Sequence, residues 1–290
     1  MRPKPIVIVF ASAGVLFAQA GSETRGILPE EVWKARPAAK SAAPAAPRYQ
    51  AVGPSATHTL RQATAGARQV GVTIWKLRTA AAGESGARIL VQQDTNSVEF
   101  IPERVASRSA LKAGDRVRLS VESPDAGYLY VIDRERYSSG ERGDPYLIFP
   151  TTRTRDGDNH ISGGKLIDIP AQDDRPSFFT LQQSRPDQTE EELTILLMAQ
   201  PIDGLAIGPK ALKLSNDQVA KWEKQWGAVQ VERFELTGGE GKRWTAAEQQ
   251  AGANGTRLLT QEDPPPQTIY RAAIKPGDPV MLKVRLRYAE

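Results

Sequence analysis

The chain has 290 residues, 40% of them hydrophobic and 7% aromatic, which suits a packed core and excludes a disordered chain. It holds no cysteine, so disulfides, Cys-based metal sites and thiol nucleophiles are all excluded. Its formal charge of +4 and pI near 9.2 come from basic residues mixed with acidic ones, weak grounds for nucleic-acid binding, and none is expected.

Arg2 and Lys4 precede an apolar run over residues 6–17, followed by Ala18-Gln19-Ala20. That order predicts a signal peptide over residues 1–20. The run is 12 residues long, short of the roughly 20 a membrane-spanning helix needs, so no span is expected after cleavage. Loss of Arg2 and Lys4 leaves a nearly balanced chain, formally +2. Residues 21–66 include an Ala/Pro-rich tract with few large apolar groups and read as a flexible spacer. Trp33 stands there on a short predicted helix.

Strand texture begins near Val70, where Val70, Val72 and Ile74 alternate with Gly71, Thr73 and Trp75. After the Lys112-Ala113-Gly114-Asp115 turn, Val117, Leu119 and Val121 alternate with Arg116, Arg118, Ser120 and Glu122, the pattern of a strand with one solvated face. YLYVI, residues 128–132, is apolar on both faces and predicts a central strand. Short strands follow at YLIFP, KLIDIP, FFTLQ and ELTILLMA, separated by Gly, Pro, Asp and Asn. Together they predict a mainly β fold, an antiparallel β-sandwich that is Ig-like or jelly-roll-like.

Two short helices are predicted in the C-terminal part. Ser215 and Gln218 form one capping signature, with Val219, Trp222 and Trp226 on one face; Thr245 and Glu248 form the other, closed by Gly252. The chain ends on an alternating strand whose Lys283, Arg285 and Arg287 share one side. LKAGDRVRLSV at 111–121 echoes IKPGDPVMLKV at 274–284, which reads as recurring turn-and-strand chemistry rather than a domain repeat.

The G-D turn, the G-Y-L-Y-V strand, the I-F-P element and the Asp-Asn loop leading to I-P resemble the bacterial domain of unknown function DUF4384, over roughly residues 69–203. The resemblance implies an exported or envelope-linked β domain with no established activity of its own, often attached to caspase-like peptidases. The cysteine such a peptidase needs is absent here. The expected domains are therefore 67–203 as the DUF4384-like sandwich and 204–290 as a helix and β extension packed on it.

Catalytic chemistry finds little support. Asp133, Arg134, Glu135 and Arg136 read as the solvated rim of a charged loop. His58 and His160 are the two histidines, with no G-x-S-x-G elbow and no paired spacing for zinc. Asp156, Asp158 and Asn159 offer the hard oxygens calcium prefers, yet the EF-hand order fails, and these residue types also make turns. GGEGKR at 238–243 lacks the order of a phosphate loop. No catalytic residue, cofactor or metal is expected.

The function read from this is a non-catalytic exported binding or structural module of the cell envelope, periplasmic or secreted. Its partner would be an envelope protein or anionic polymer, drawn to a basic patch of Arg116, Arg118, Lys283, Arg285 and Arg287 if their strands share one outer face. The alternative is a glycan-binding module or weak glycoside hydrolase, which needs Trp75, Trp222, Trp226 or Trp244 as exposed flat faces. N-terminal sequencing of the exported protein is expected to begin Gly21-Ser22-Glu23; a product that retains Met1 refutes cleavage.

Overall fold

The structure is a computed structural model that describes residues 31–38, 47–52, 67–93, 96–253, 258–275 and 277–289. Residues 1–20, where a signal peptide is expected, Gly21 and His58 lie outside the described residues. In chain order the strands are β1 (Tyr49–Ala51), β2 (Arg68–Thr79), β3 (Ile89–Gln93), β4 (Asn96–Val105), β5 (Ala110–Leu111), β6 (Arg116–Glu122), β7 (Gly127–Tyr137) and β8 (Tyr146–Phe149). They continue as β9 (His160–Ile161), β10 (Leu166–Ile169), β11 (Phe179–Thr180), β12 (Gln188–Met198), β13 (Leu212–Lys213), β14 (Val231–Leu236), β15 (Thr268–Ala272) and β16 (Val280–Tyr288). The helices are α1 (Glu31–Lys34), α2 (Asn216–Trp226) and α3 (Ala246–Gly252).

Two sheets result. Sheet A runs β1-β14-β15-β2-β4-β3, with β6 on the other edge of β2 and β10 and β11 beyond it; sheet B runs β13-β8-β7-β12-β16-β5, with β9 on β7. All pairings are antiparallel except β16 with β5. The sheets face each other across one core that draws Val72 and Ile74 from β2, Leu119 from β6, Val131 from β7, Ile195 from β12 and Leu282 from β16. This is the mainly β sandwich that the alternation predicts.

Strand parity explains both faces of sheet B. Val280, Leu282, Val284, Leu286 and Tyr288 point inward, while Met281 points outward into a second cluster with Tyr130, Ile132 and Leu196. Helix α2 seals that cluster with Val219 and Trp222, its first turn capped by Ser215 Oγ accepting from Gln218 N at 3.1 Å. Trp226 stacks on Trp222 with centroids 5.8 Å apart. In α3 both halves of the Thr245–Glu248 capping box are made.

Three expectations need correction. First, β6 has no solvated face: Arg118, Ser120 and Glu122 are buried, because α1, α3 and the segment 258–267 cover the outer side of sheet A. Second, residues 31–38 and 47–52, inside the expected flexible spacer, are docked. Val32 and Trp33 are buried, Trp33 Nε1 donates to Gln261 O at 3.0 Å, and β1 pairs with β14. Third, residues 204–290 are not an extension laid on a finished sandwich. β15 pairs with β2, and β16 pairs with β12 over eight residue pairs, so the C-terminal strands complete both sheets.

The covering layer is held by an ion pair. Arg36 Nε and Nη2 donate to Glu122 Oε1 and Oε2 at 2.7 and 2.8 Å, and Arg36 Nη1 donates to the carbonyls of Asp263 and Pro264 at 3.0 and 3.1 Å. Both side chains are 1% exposed. Gly71 is needed beneath them, since a Cβ there would overlap the ring of Pro266. Removing one partner leaves a buried charge, so Arg36→Met is expected to lower stability by about 3–5 kcal/mol in urea unfolding, and Arg36→Met with Glu122→Leu to recover most of it. A single variant within about 1 kcal/mol of the parent overturns this account of the layer.

Candidate functional site

The charged run at 133–136 lies on β7, not in a loop, and this changes its chemistry. Asp133 is opposite Leu193, and Glu135 is opposite Glu191, which is in turn opposite Leu286 of β16. Leu193 and Leu286 belong to the inter-sheet core, so Asp133, Glu135 and Glu191 point inward, at the end of the sandwich where that core stops. Tyr137 and Tyr288 close the group: Tyr137 Oη donates to Glu135 Oε2, and Tyr288 Oη donates to Glu191 Oε1 at 3.0 Å. The carboxyls Asp133, Glu135 and Glu191 line an open pocket of about 410 Å³ with Tyr137, Tyr146 and the loop residues Glu141 and Asp144.

Burial and like charge raise the proton affinity of two of these carboxyls. Desolvation, with Glu191 and Glu135 adding repulsion, pushes the Asp133 carboxyl up to about 8. Glu191 is raised chiefly by burial, against the hydrogen bonds it accepts from Tyr288 and Gln188. Asp133 Oδ1 and Glu191 Oε2 are both enclosed and accept no hydrogen bond. The rim reading of Asp133 and Glu135 is thus corrected. Arg134 and Arg136 point the other way, to the outer face.

That outer face is a ladder of opposite charge. Arg134, Glu192 and Arg285 form one cross-strand row, and Arg136, Glu190 and Arg287 the next. Glu192 lies 2.6 Å from Arg142 and 3.0 Å from Lys283, and although burial opposes it, these cations hold its carboxyl below the usual range. Arg285 and Arg287 approach Glu190 at 3.5 and 3.7 Å and keep side-chain exposures of 42% and 54%.

The structure therefore divides the five residues of the expected basic patch. Lys283, Arg285 and Arg287 share the outer face of sheet B, whereas Arg116 and Arg118 belong to sheet A and do not join them. Arg118 is fully buried, paired with Asp168 at 3.0 Å, its guanidinium over the Trp244 ring. Arg116 lies against the rings of Phe100 and Phe178.

Loop 155–159 serves structure. Asp158 Oδ1 accepts from His160 N at 2.9 Å and its Oδ2 pairs with Arg155, while Asn159 Nδ2 donates to Leu129 O at 3.0 Å and ties the loop to β7. Asp156 sits in the left-handed region at φ 54°. Among the described residues no three His, Cys, Asp or Glu side chains are grouped to hold a metal ion.

Glu191 and Tyr288 escaped the sequence reading, though a signal existed. Three consecutive acids on a strand, Glu190-Glu191-Glu192, cannot share one face. Residues 69–203 and the rest of the chain match no protein-family model, no curated protein and no solved structure.

Because Asp133 keeps its proton in the folded protein up to about 8 and loses it near 3.8 when unfolded, folding takes up a proton between those values. Stability therefore falls as pH rises across that window and levels above it. Asp133→Asn is expected to flatten the fall and to add about 1–3 kcal/mol at pH 9, read from urea midpoints between pH 4 and 9. A variant with the parent's pH profile contradicts the assignment.

Proposed function

We propose that this protein is a non-catalytic exported binding module of the cell envelope whose docking surface is the outer face of sheet B. One observation carries the reading: Arg136, Arg142, Lys283, Arg285 and Arg287 share three carboxylates, Glu190, Glu192 and Glu223, which leaves a surplus of positive charge. A fixed cationic face on a rigid sheet attracts an anionic partner, either an acidic protein segment or an anionic polymer. The signal-like residues 1–20 and the DUF4384 resemblance of residues 69–203 support export and an envelope setting. Among the described residues no helix is long and apolar enough to cross a membrane.

The glycan-active alternative gains one feature, two carboxyls of raised proton affinity at a pocket. It lacks the flat indole face that holds a sugar: Trp75, Trp222 and Trp244 are buried, and Trp226 is half-covered by its stack on Trp222. The binding reading is tested on immobilised poly-L-glutamate. The protein is expected to be retained at low salt, and Arg285→Gln with Arg287→Gln to elute at clearly lower salt with an unchanged melting temperature. Equal retention of parent and variant refutes this face as the docking surface.

A further inference from the structure

Residues 31–38 and 47–52 meet the rest of the chain as a bound peptide would. Val32 is fully buried against Gly71, the Trp33 indole donates to Gln261 O, and Arg36 joins Glu122 to the carbonyls of Asp263 and Pro264. Backbone bonds complete the fit: Gln261 N donates to Pro37 O at 3.1 Å, Thr237 N to Arg48 O at 2.9 Å, and Val52 N to Arg233 O at 2.9 Å. β1 adds to β14 as an edge strand. Side-chain anchors combined with strand addition are a recurring way to hold an extended segment. The other side of the same stretch is open to solvent at Glu31, Ala35, Pro37 and Ala38, so it lies on the surface of the fold rather than threaded through it.

The chain that joins this segment to β2 is longer than its position requires. Ala51, Phe234, Ile269 and Gly71 form one cross-strand row, which sets β1 three strand spacings, about 14 Å, from β2. With the offset along the strands added, Val52 and Arg68 are about 16 Å apart. Residues 53–66, fully extended, span about 46 Å. The connection therefore does not dictate which copy's groove the segment enters, and an edge strand arrives from outside without unpairing any other strand. The anchors do dictate the occupant. Both oxygens of the buried Glu122 accept from Arg36, so an empty groove holds an unpaired buried carboxylate. Tyr49 Oη, donating to Pro266 O at 2.6 Å, fixes the second half of the segment. A second copy of this chain carries all of these groups at the right spacing.

We propose that residues 31–52 are an exchangeable element, and that two copies of this chain trade them to form a closed dimer. The symmetry follows from the chemistry. Each copy gives one segment and receives one, so every Arg36 still meets a Glu122 and no new interface is needed. Because the contacts are the same in monomer and dimer, concentration decides between them. A connection of this length gives an effective concentration on the order of 1 mM, so the monomer prevails in dilute solution and the exchanged dimer forms when chains fold together near that concentration. The outer face of sheet B takes no part, so this inference does not rest on its binding an anionic partner.

Two full-length variants, mixed, test the exchange. Arg36→Met spoils the segment and leaves the groove intact; Glu122→Leu spoils the groove and leaves the segment intact. Only a mixed dimer satisfies both: Arg36 of one copy meets Glu122 of the other, and the two substituted positions, both apolar, pack together. Unfolded in urea and refolded together at about 1 mM, the pair is expected to give a species of twice 31.6 kDa by light scattering. Native mass spectrometry is expected to find one of each chain in it, and it is expected to melt several degrees above either variant refolded alone. Refolding in one vessel keeps the result readable even where a variant does not fold by itself. A chain lacking residues 54–66 provides the second measurement. Its link reaches about 11 Å, too short for its own groove, so it is expected to be dimeric at micromolar concentration. A mixture that behaves as the sum of its two variants, or a shortened chain that folds as a monomer, overturns the proposal.

Discussion

Glu122 imposes the constraint on which sheet A depends. Its strand, β6, turns Val117, Leu119 and Val121 into the shared core, and parity then places Arg118, Ser120 and Glu122 on the opposite side. Once that side is covered, each polar group must find a partner inside the protein. Asp168 on β10 accepts from Ser120 Oγ at 2.6 Å and pairs with Arg118; Ser120 Oγ in turn accepts from Trp75 Nε1 at 2.8 Å. Glu122 takes its partner from outside the sheet: Arg36 meets it with a fork and also holds the 258–267 segment by its carbonyls. The same layer carries Arg104, which pairs with Glu248 of α3 and donates to Pro265 O. Helix docking here is thus a problem of charge satisfaction more than of apolar burial.

Sheet B solves the opposite problem. Along β12, Glu190 and Glu192 face outward into a ladder of arginines and a lysine, while Glu191, between them, faces inward and meets only carboxyls and neutral donors. Adjacent residues of one strand thereby occupy contrary electrostatic settings: Glu192 is held below the usual carboxylate range and Glu191 above it. Tyr137 and Tyr288 moderate the inner group without neutralising it, since a phenol donates one hydrogen bond and no charge. The charged ladder and the acidic pocket therefore meet along β12, with Arg134 and Arg142 bordering both.

What could be read from the residues follows the range of the physics. The alternation of β16, the twin apolar faces of β7 and the two capped helices are local signals, and each element appears where its period or cap places it. Pairing partners are not local. Nothing in residues 268–272 announces that they join β2, nearly two hundred residues earlier, so the C-terminal part looked like an appendage. The polar side of β6 looked solvated because a strand's own pattern cannot reveal a second layer contributed by residues 31–38 and 258–267. The Asp133 run looked like a turn because mixed charge is common in loops, whereas here it continues a central strand past the end of the core. Of the candidate site, the charged run marks Asp133, Arg134 and Glu135, and the inward direction of the two acids follows from a register that one strand does not contain.

The sequence echo shows how one local device serves two sheets. In LKAGD, Gly114 takes φ 91° and Asp115 Oδ2 accepts from Lys112 N at 2.8 Å; in IKPGD, Gly277 takes φ 89° and Asp278 Oδ2 accepts from Lys275 N at 3.3 Å. A positive φ suits glycine, and an aspartate that bonds back three residues closes the turn. Each turn therefore releases its strand with the same inward triplet, Val117, Leu119 and Val121 from one and Val280, Leu282 and Val284 from the other, and the triplets enter the core from opposite sheets. The positions between them are free of that requirement and have taken different environments. Arg118 and Ser120 belong to a buried network, while Met281 packs under α2 and Lys283 pairs with Glu192 and Glu223. Likeness of pattern thus specifies how a strand meets the core, while the elements covering its other face decide whether its cations are buried or left at the surface.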